Sequence, residues 1–138
     1  MLSHVRIEAD LRWRMCLGFA TFSFAGAFAW GIPNATHALG IELTGPMPSG
    51  YALRFASTAA HGILGTLAAV VYVIAYVPLL CRSALFLPVY ATASASRFVF
   101  WLSQISDVNF PVNIGFFMMA VDLAVIFTAS KWYLRTLR

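Results

Sequence analysis

Hydrophobic and polar positions divide the chain into four long apolar runs separated by short polar or proline-marked breaks. The first covers residues 15–32, follows a charged leader holding Arg6, Glu8, Asp10, Arg12 and Arg14, and ends where Pro33 removes a backbone donor. The second covers residues 52–80, is free of charge from Gly62 to Cys81, and closes at Pro78 and Cys81-Arg82-Ser83. The third covers residues 84–102, with Pro88 near its start, where a helix tolerates proline best. The fourth covers residues 112–133, opens after Pro111 and runs into a tail with Lys131, Arg135 and Arg138. Three runs are close to the ~20 residues a helix needs to cross a hydrocarbon layer, and the second is longer. The expected fold is all-α: a membrane-embedded four-helix bundle forming a single domain over residues 1–138. Runs two and three, joined by a few residues, make an antiparallel hairpin.

Composition sharpens this pattern. Of 138 residues, 61% are hydrophobic and 10% charged, against about a quarter charged in soluble domains; the mean hydropathy is +0.80. An ordinary soluble globule is excluded. The net charge of +4 is accounted for by topology. Arg6, Arg12, Arg14, Arg82, Lys131, Arg135 and Arg138 all fall on one side of the four-span arrangement, which puts both termini in the cytoplasm. Contact with anionic lipid suits that side. No basic stripe interleaved with aromatics calls for a nucleic-acid partner. Ala27-Phe28-Ala29 could pass for a signal-peptide cleavage site, but Glu8 and Asp10 in the leader and Trp30 after the site favour a retained span. Residues 33–50 read as an external Gly- and Pro-rich loop, in which Asn34-Ala35-Thr36 fits a glycosylation acceptor. Cys16 and Cys81 map to cytoplasmic span ends, so neither a disulfide nor a metal site is expected.

The chemistry lies in the few polar residues within the runs. At ~100° per residue, Arg54, Thr58, His61, Gly65, Tyr72 and Tyr76 share one sector of run two. Tyr90, Ser94, Arg97, Trp101 and Gln104 share one side of run three, and Asp122 stands on run four. A charge facing lipid at mid-depth costs at least ~2.5 kcal/mol, so these faces should point inward. By the helical rise, Asp122 and Arg97 lie at depths that a guanidinium stem can bridge, and they are expected to pair. Arg54, His61, Glu42 and Asp107 complete an outer-half cluster that is nearly charge-balanced. Such a cluster fixes helix register, or it holds a polar headgroup, an anion or a proton. Tyr72, Tyr76, Trp132 and Tyr133 read as interfacial anchors, as do Trp30 and Trp101 on the outer side. Met118 and Met119 read as packing. His61 is the only histidine in a span, with His4 in the leader and His37 in the outer loop, so a bis-histidine haem is not expected and no cofactor is implied.

One resemblance covers most of the chain. An external Pro/Gly loop is followed by Tyr51-Ala52-Leu53-Arg54, with Ala59, Ala60, Gly62 and Gly65 behind it. Ser96-Arg97, Ser103, Asp107 and finally Asp122 complete the order. The order resembles that of small bacterial four-helix membrane proteins of unknown function, DoxX-like in outline. The resemblance implies a multi-pass protein of the bacterial inner membrane with polar positions at Arg54, Arg97, Asp107 and Asp122. Some DoxX-like proteins accompany quinone-linked oxidoreductases, so association with a quinone or a redox partner is compatible with the resemblance without being implied by it.

Three functional readings follow. The first is a non-catalytic accessory or complex subunit, whose small residues Gly18, Gly26, Ala59 and Gly62 pack its own helices and those of a membrane-protein partner or second copy. The second is a binding protein in which Arg54, His61, Arg97, Trp101 and Asp122 hold the polar end of a lipophilic molecule such as a quinone or acidic lipid. The third is a small membrane enzyme of isomerase or cyclase type, with His61 and Asp122 as acid and base. Topology is directly testable: Arg138→Cys, in a chain with Cys16 and Cys81 replaced by serine, should react with an impermeant maleimide only from the cytoplasmic side.

Overall fold

The structure, a computed structural model, describes residues 2–41, 59–106 and 112–136. They form four helices: α1 (Leu2–Ala38), α2 (Ala59–Leu80), α3 (Phe86–Gln104) and α4 (Val112–Thr136). The described part is therefore all-helical. Helix α1 packs between α2 and α4, and α3 closes the ring between the same two. Trp13 and Cys16 of α1 surround one small recess with Leu79 of α2, Phe86 of α3 and Trp132 of α4. At the opposite end, Trp30 of α1 meets Gly65, Phe100, Trp101 and Gly115 around another. Neighbouring helices thus run antiparallel, and the start of α1 shares an end of the bundle with the close of α4.

Helix α1 departs from the expected span. It continues without a break from the charged leader through Pro33 to Ala38. A proline removes one backbone donor, the one that would serve the Ala29 carbonyl; in the same turn the Asn34 amide bonds the Trp30 carbonyl at 2.9 Å and Thr36 Oγ1 the Pro33 carbonyl at 2.9 Å. The helix stops instead at Gly40, whose φ of 71° lets the Ile41 N–H reach the Thr36 carbonyl at 2.9 Å, a left-handed cap that glycine favours. Asn34 is therefore a fully buried helical residue, and it is not the exposed glycosylation acceptor expected of an outer loop.

The α2–α3 hairpin forms as expected, and its turn is built by a similar cap. Ser83 N–H bonds the Pro78 carbonyl at 2.8 Å and Arg82 N–H the Leu79 carbonyl at 3.0 Å, the paired bonds of a Schellman motif. Its left-handed position is held by Arg82, with φ 51°, where a Cβ carries a steric cost. Its guanidinium lies 4.1 Å from the centre of the Trp13 ring and 3.9 Å from Asp10, so the strained turn is tied to α1.

The surface inverts the usual order. Phe19, Phe22, Ile63, Leu67, Val99, Leu102, Phe116 and Leu123 are exposed, whereas Ser23, Asn34, Gln104 and Asp122 are buried. Three helices contain stretches long and apolar enough to cross a membrane: Asp10–Thr36, Ala60–Leu80 and Val112–Tyr133. Helix α3 does not meet that composition. Its 19 residues include three of the bundle's inward polar groups, Tyr90, Arg97 and Gln104.

Close approach depends on small residues. A Cβ on Gly115 would overlap the Trp101 indole, whereas one on Gly18 would meet nothing within 4 Å. Gly115→Ala should cost about 1–3 kcal/mol through overpacking, despite the better helix propensity of alanine. Gly18→Ala should be neutral or stabilising by up to about 1 kcal/mol. Unfolding of the two variants in mild detergent checks both signs.

Candidate functional site

The interior is organised around one carboxylate. Asp122 stands mid-way along α4 with 1% of its surface exposed. Ser23 Oγ of α1 donates to its Oδ1 at 2.5 Å, and the Tyr90 hydroxyl of α3 donates to the same oxygen at 2.7 Å. The Tyr72 hydroxyl of α2 donates to Oδ2, and Arg97 Nη1 lies 3.3 Å from it. A carboxylate has about four acceptor positions; three hydroxyls occupy three of them, the guanidinium stands beside Oδ2 as an ion pair without a hydrogen bond, and all four helices take part.

Arg97 is held as firmly. Its Nη2 donates to the Ser23 carbonyl and to Ser23 Oγ, each at 3.0 Å. The central carbon of the guanidinium lies over the Tyr72 ring, 4.0 Å from its centre, and that ring in turn meets the Tyr90 ring edge-on at 5.5 Å. The expected pairing of Arg97 with Asp122 is present. Three partners escaped the sequence reading. Tyr72, read as an interfacial anchor, is buried. Eight residues before the end of α2 place it about 12 Å inside the bundle, beyond the reach of an interface. Tyr90 stood on the Arg97 stripe, seven residues earlier, and its shared face was the available signal. Ser23 is one of two hydroxyl residues in run one, with Thr21, and nothing in the sequence sets it apart. Tyr76 is not a bare anchor either: it shares a hydrogen bond with Thr21 at 2.8 Å and stacks on Phe24.

Beside this network lies a partly open cavity of about 170 Å³. Gly26, Ala29, Gly65, Ala68, Ala69 and Gly115 leave the room, Trp30, Phe100 and Trp101 give it aromatic walls, and Arg97 and Tyr72 border it on the network side. Trp101, an expected ligand contact, does line it, and is buried with Phe116 packed edge-on at 4.8 Å. It is therefore a wall residue and not an outer-face anchor.

His61 is placed elsewhere. It lies in the first turn of α2 and is half-buried. Its separation of eleven residues from Tyr72 corresponds to roughly 16 Å of helix. The structure therefore does not bring His61 and Asp122 together as an acid–base pair. Arg54, Glu42 and Asp107 lie outside the described residues, as does the Tyr51-Ala52-Leu53-Arg54 segment. Of the expected outer-half cluster, the described residues join Arg97 and Asp122. No protein-family model, curated protein or solved structure matches the chain.

The network makes a quantitative prediction. Asp122→Ala should destabilise the bundle by about 3–5 kcal/mol, because it leaves a buried guanidinium without its counter-ion. Arg97→Met combined with Asp122→Leu should cost less than the sum of the two single changes, since the double variant leaves no uncompensated charge. A double-mutant cycle of unfolding in detergent measures the coupling.

Proposed function

We propose that this chain is a multi-pass membrane protein that holds a lipophilic small molecule in the cavity beside Arg97. Membrane embedding is supported by the outward apolar residues on every helix and by three stretches of 21–27 residues with spanning character. A contiguous apolar exterior of this kind needs lipid or protein against it. The end where α1 begins and α4 closes carries Arg12, Arg14, Arg82 and Lys131. Among the described residues the opposite end carries no lysine or arginine. The positive-inside rule puts the basic end in the cytoplasm, and the DoxX-like resemblance makes the membrane that of a bacterium.

The observation that carries the binding reading is the cavity itself. Close-packed interiors leave few voids larger than a water, and an apolar void of about 150 Å³ suffices for benzene. A cavity of about 170 Å³ admits one ring, and its open side gives a tail a way out. A purely structural accessory subunit has no need of such a space. An acid–base enzyme is less well served, because three hydroxyls and an ion pair already engage Asp122 and His61 stands well away from it.

The test uses the full chain in lipid nanodiscs with fluorobenzene as probe, followed by fluorine NMR. Saturable binding is expected in the wild type and loss of it in Ala68→Leu, which puts a larger side chain into the cavity. Binding that stays linear with probe concentration, or that is equal in the two proteins, rejects the reading.

A further inference from the structure

Resting on that reading, we propose that the cavity selects an uncharged ring-sized ligand and rejects a carboxylate of the same shape. The presence of an arginine at an apolar site suggests the opposite, an anion receptor. The geometry around Arg97 argues against that role. Among the described residues lining the cavity, Arg97 alone is charged, and its charge is already answered by Asp122 at 3.3 Å. The Tyr72 ring lies against the guanidinium, its centre 4.0 Å from the central carbon. Two of its donor contacts go to Ser23. The hydroxyls of Ser23, Tyr72 and Tyr90 all donate to Asp122.

A carboxylate entering this cavity would bring a second negative charge to a guanidinium that already has one. It would find no hydroxyl turned toward it, and Arg97 Nη1, which makes no hydrogen bond, already stands against the Asp122 carboxylate. Its desolvation would be borne by walls made of Gly, Ala, Trp, Phe, Ile and Met, and an unpaired buried charge costs far more than a neutral polar group. An uncharged ring asks nothing of the ion pair. It gains dispersion against Trp30, Phe100 and Trp101, and it leaves the contacts that join the four helices intact.

The decisive comparison is between two probes of one shape, 4-fluorobenzamide and 4-fluorobenzoate, offered to the full chain in nanodiscs of zwitterionic lipid at neutral pH. The amide should bind saturably and at least about tenfold more tightly than the carboxylate, a difference that ~1.4 kcal/mol of desolvation already produces. Ala68→Leu should abolish the amide signal. Asp122→Asn removes the counter-ion while keeping the shape, and should narrow the gap or reverse it in favour of benzoate. Should that variant unfold, the wild-type comparison decides alone. Benzoate binding as tightly as benzamide, or more tightly, overturns the charge selection while leaving the cavity a binding site. Absence of saturable binding by both probes and by fluorobenzene removes the binding reading itself, and this proposal with it.

Discussion

The bundle depends on satisfying a single ionised group away from water. A carboxylate in the middle of an apolar bundle is tolerable only with its oxygens hydrogen-bonded and its charge balanced. Asp122 meets both conditions with Ser23, Tyr72, Tyr90 and Arg97. These partners come one or two from each other helix, so the position and rotation of α1, α2 and α3 are all referred to the same two oxygen atoms. Apolar packing alone would leave the helices free to slide, because in an apolar surrounding one leucine contact is as good as the next. The polar network makes one register better than its neighbours.

The interior is graded along the bundle axis. Toward the end where α1 begins lies a dry cluster that includes Cys16, Ala20, Ala75, Leu79, Phe86 and Ala129. The network follows, and then the cavity between Trp30, Gly65, Phe100, Trp101 and Gly115. Small residues occur where another group comes close: the Asn34 amide and the edge of Phe100 fit against Gly65, and the Trp101 indole against Gly115. The cavity arises where such glycines and alanines from α1, α2 and α4 face one another without a large side chain between them.

Much of this was legible in the residue pattern. Four apolar runs gave four helices, and the short break at Cys81-Arg82-Ser83 gave the hairpin. The pairing of Arg97 with Asp122 followed from two opposite charges that could not face an apolar exterior. The end of α1 was misjudged because proline at Pro33 was read as a stop. The helix runs on through it, forgoing the one bond Pro33 cannot donate, and Gly40 supplies the terminating geometry. Tyr72 and Tyr76 were misjudged for a different reason. A phenol in an apolar run is ambiguous between interface and interior, and its partner, a carboxylate fifty residues away from Tyr72, is invisible to any local pattern. The cavity was illegible for the same reason, since it depends on small residues from several helices meeting at one level. His61 stood on the right helical sector but at the wrong height.

One consequence concerns the order in which the chain assembles. The donors Ser23, Tyr72, Tyr90 and Arg97 belong to the first three helices, and the acceptor they share belongs to the last. As the chain emerges from its N-terminal end, three helices are complete while their hydroxyls and their guanidinium still lack the group that satisfies them. Such a partial bundle has every reason to stay loosely packed and open to rearrangement. The arrival of α4 brings the missing carboxylate and fixes the other three in a single step, so the final helix acts as the keystone of its own assembly.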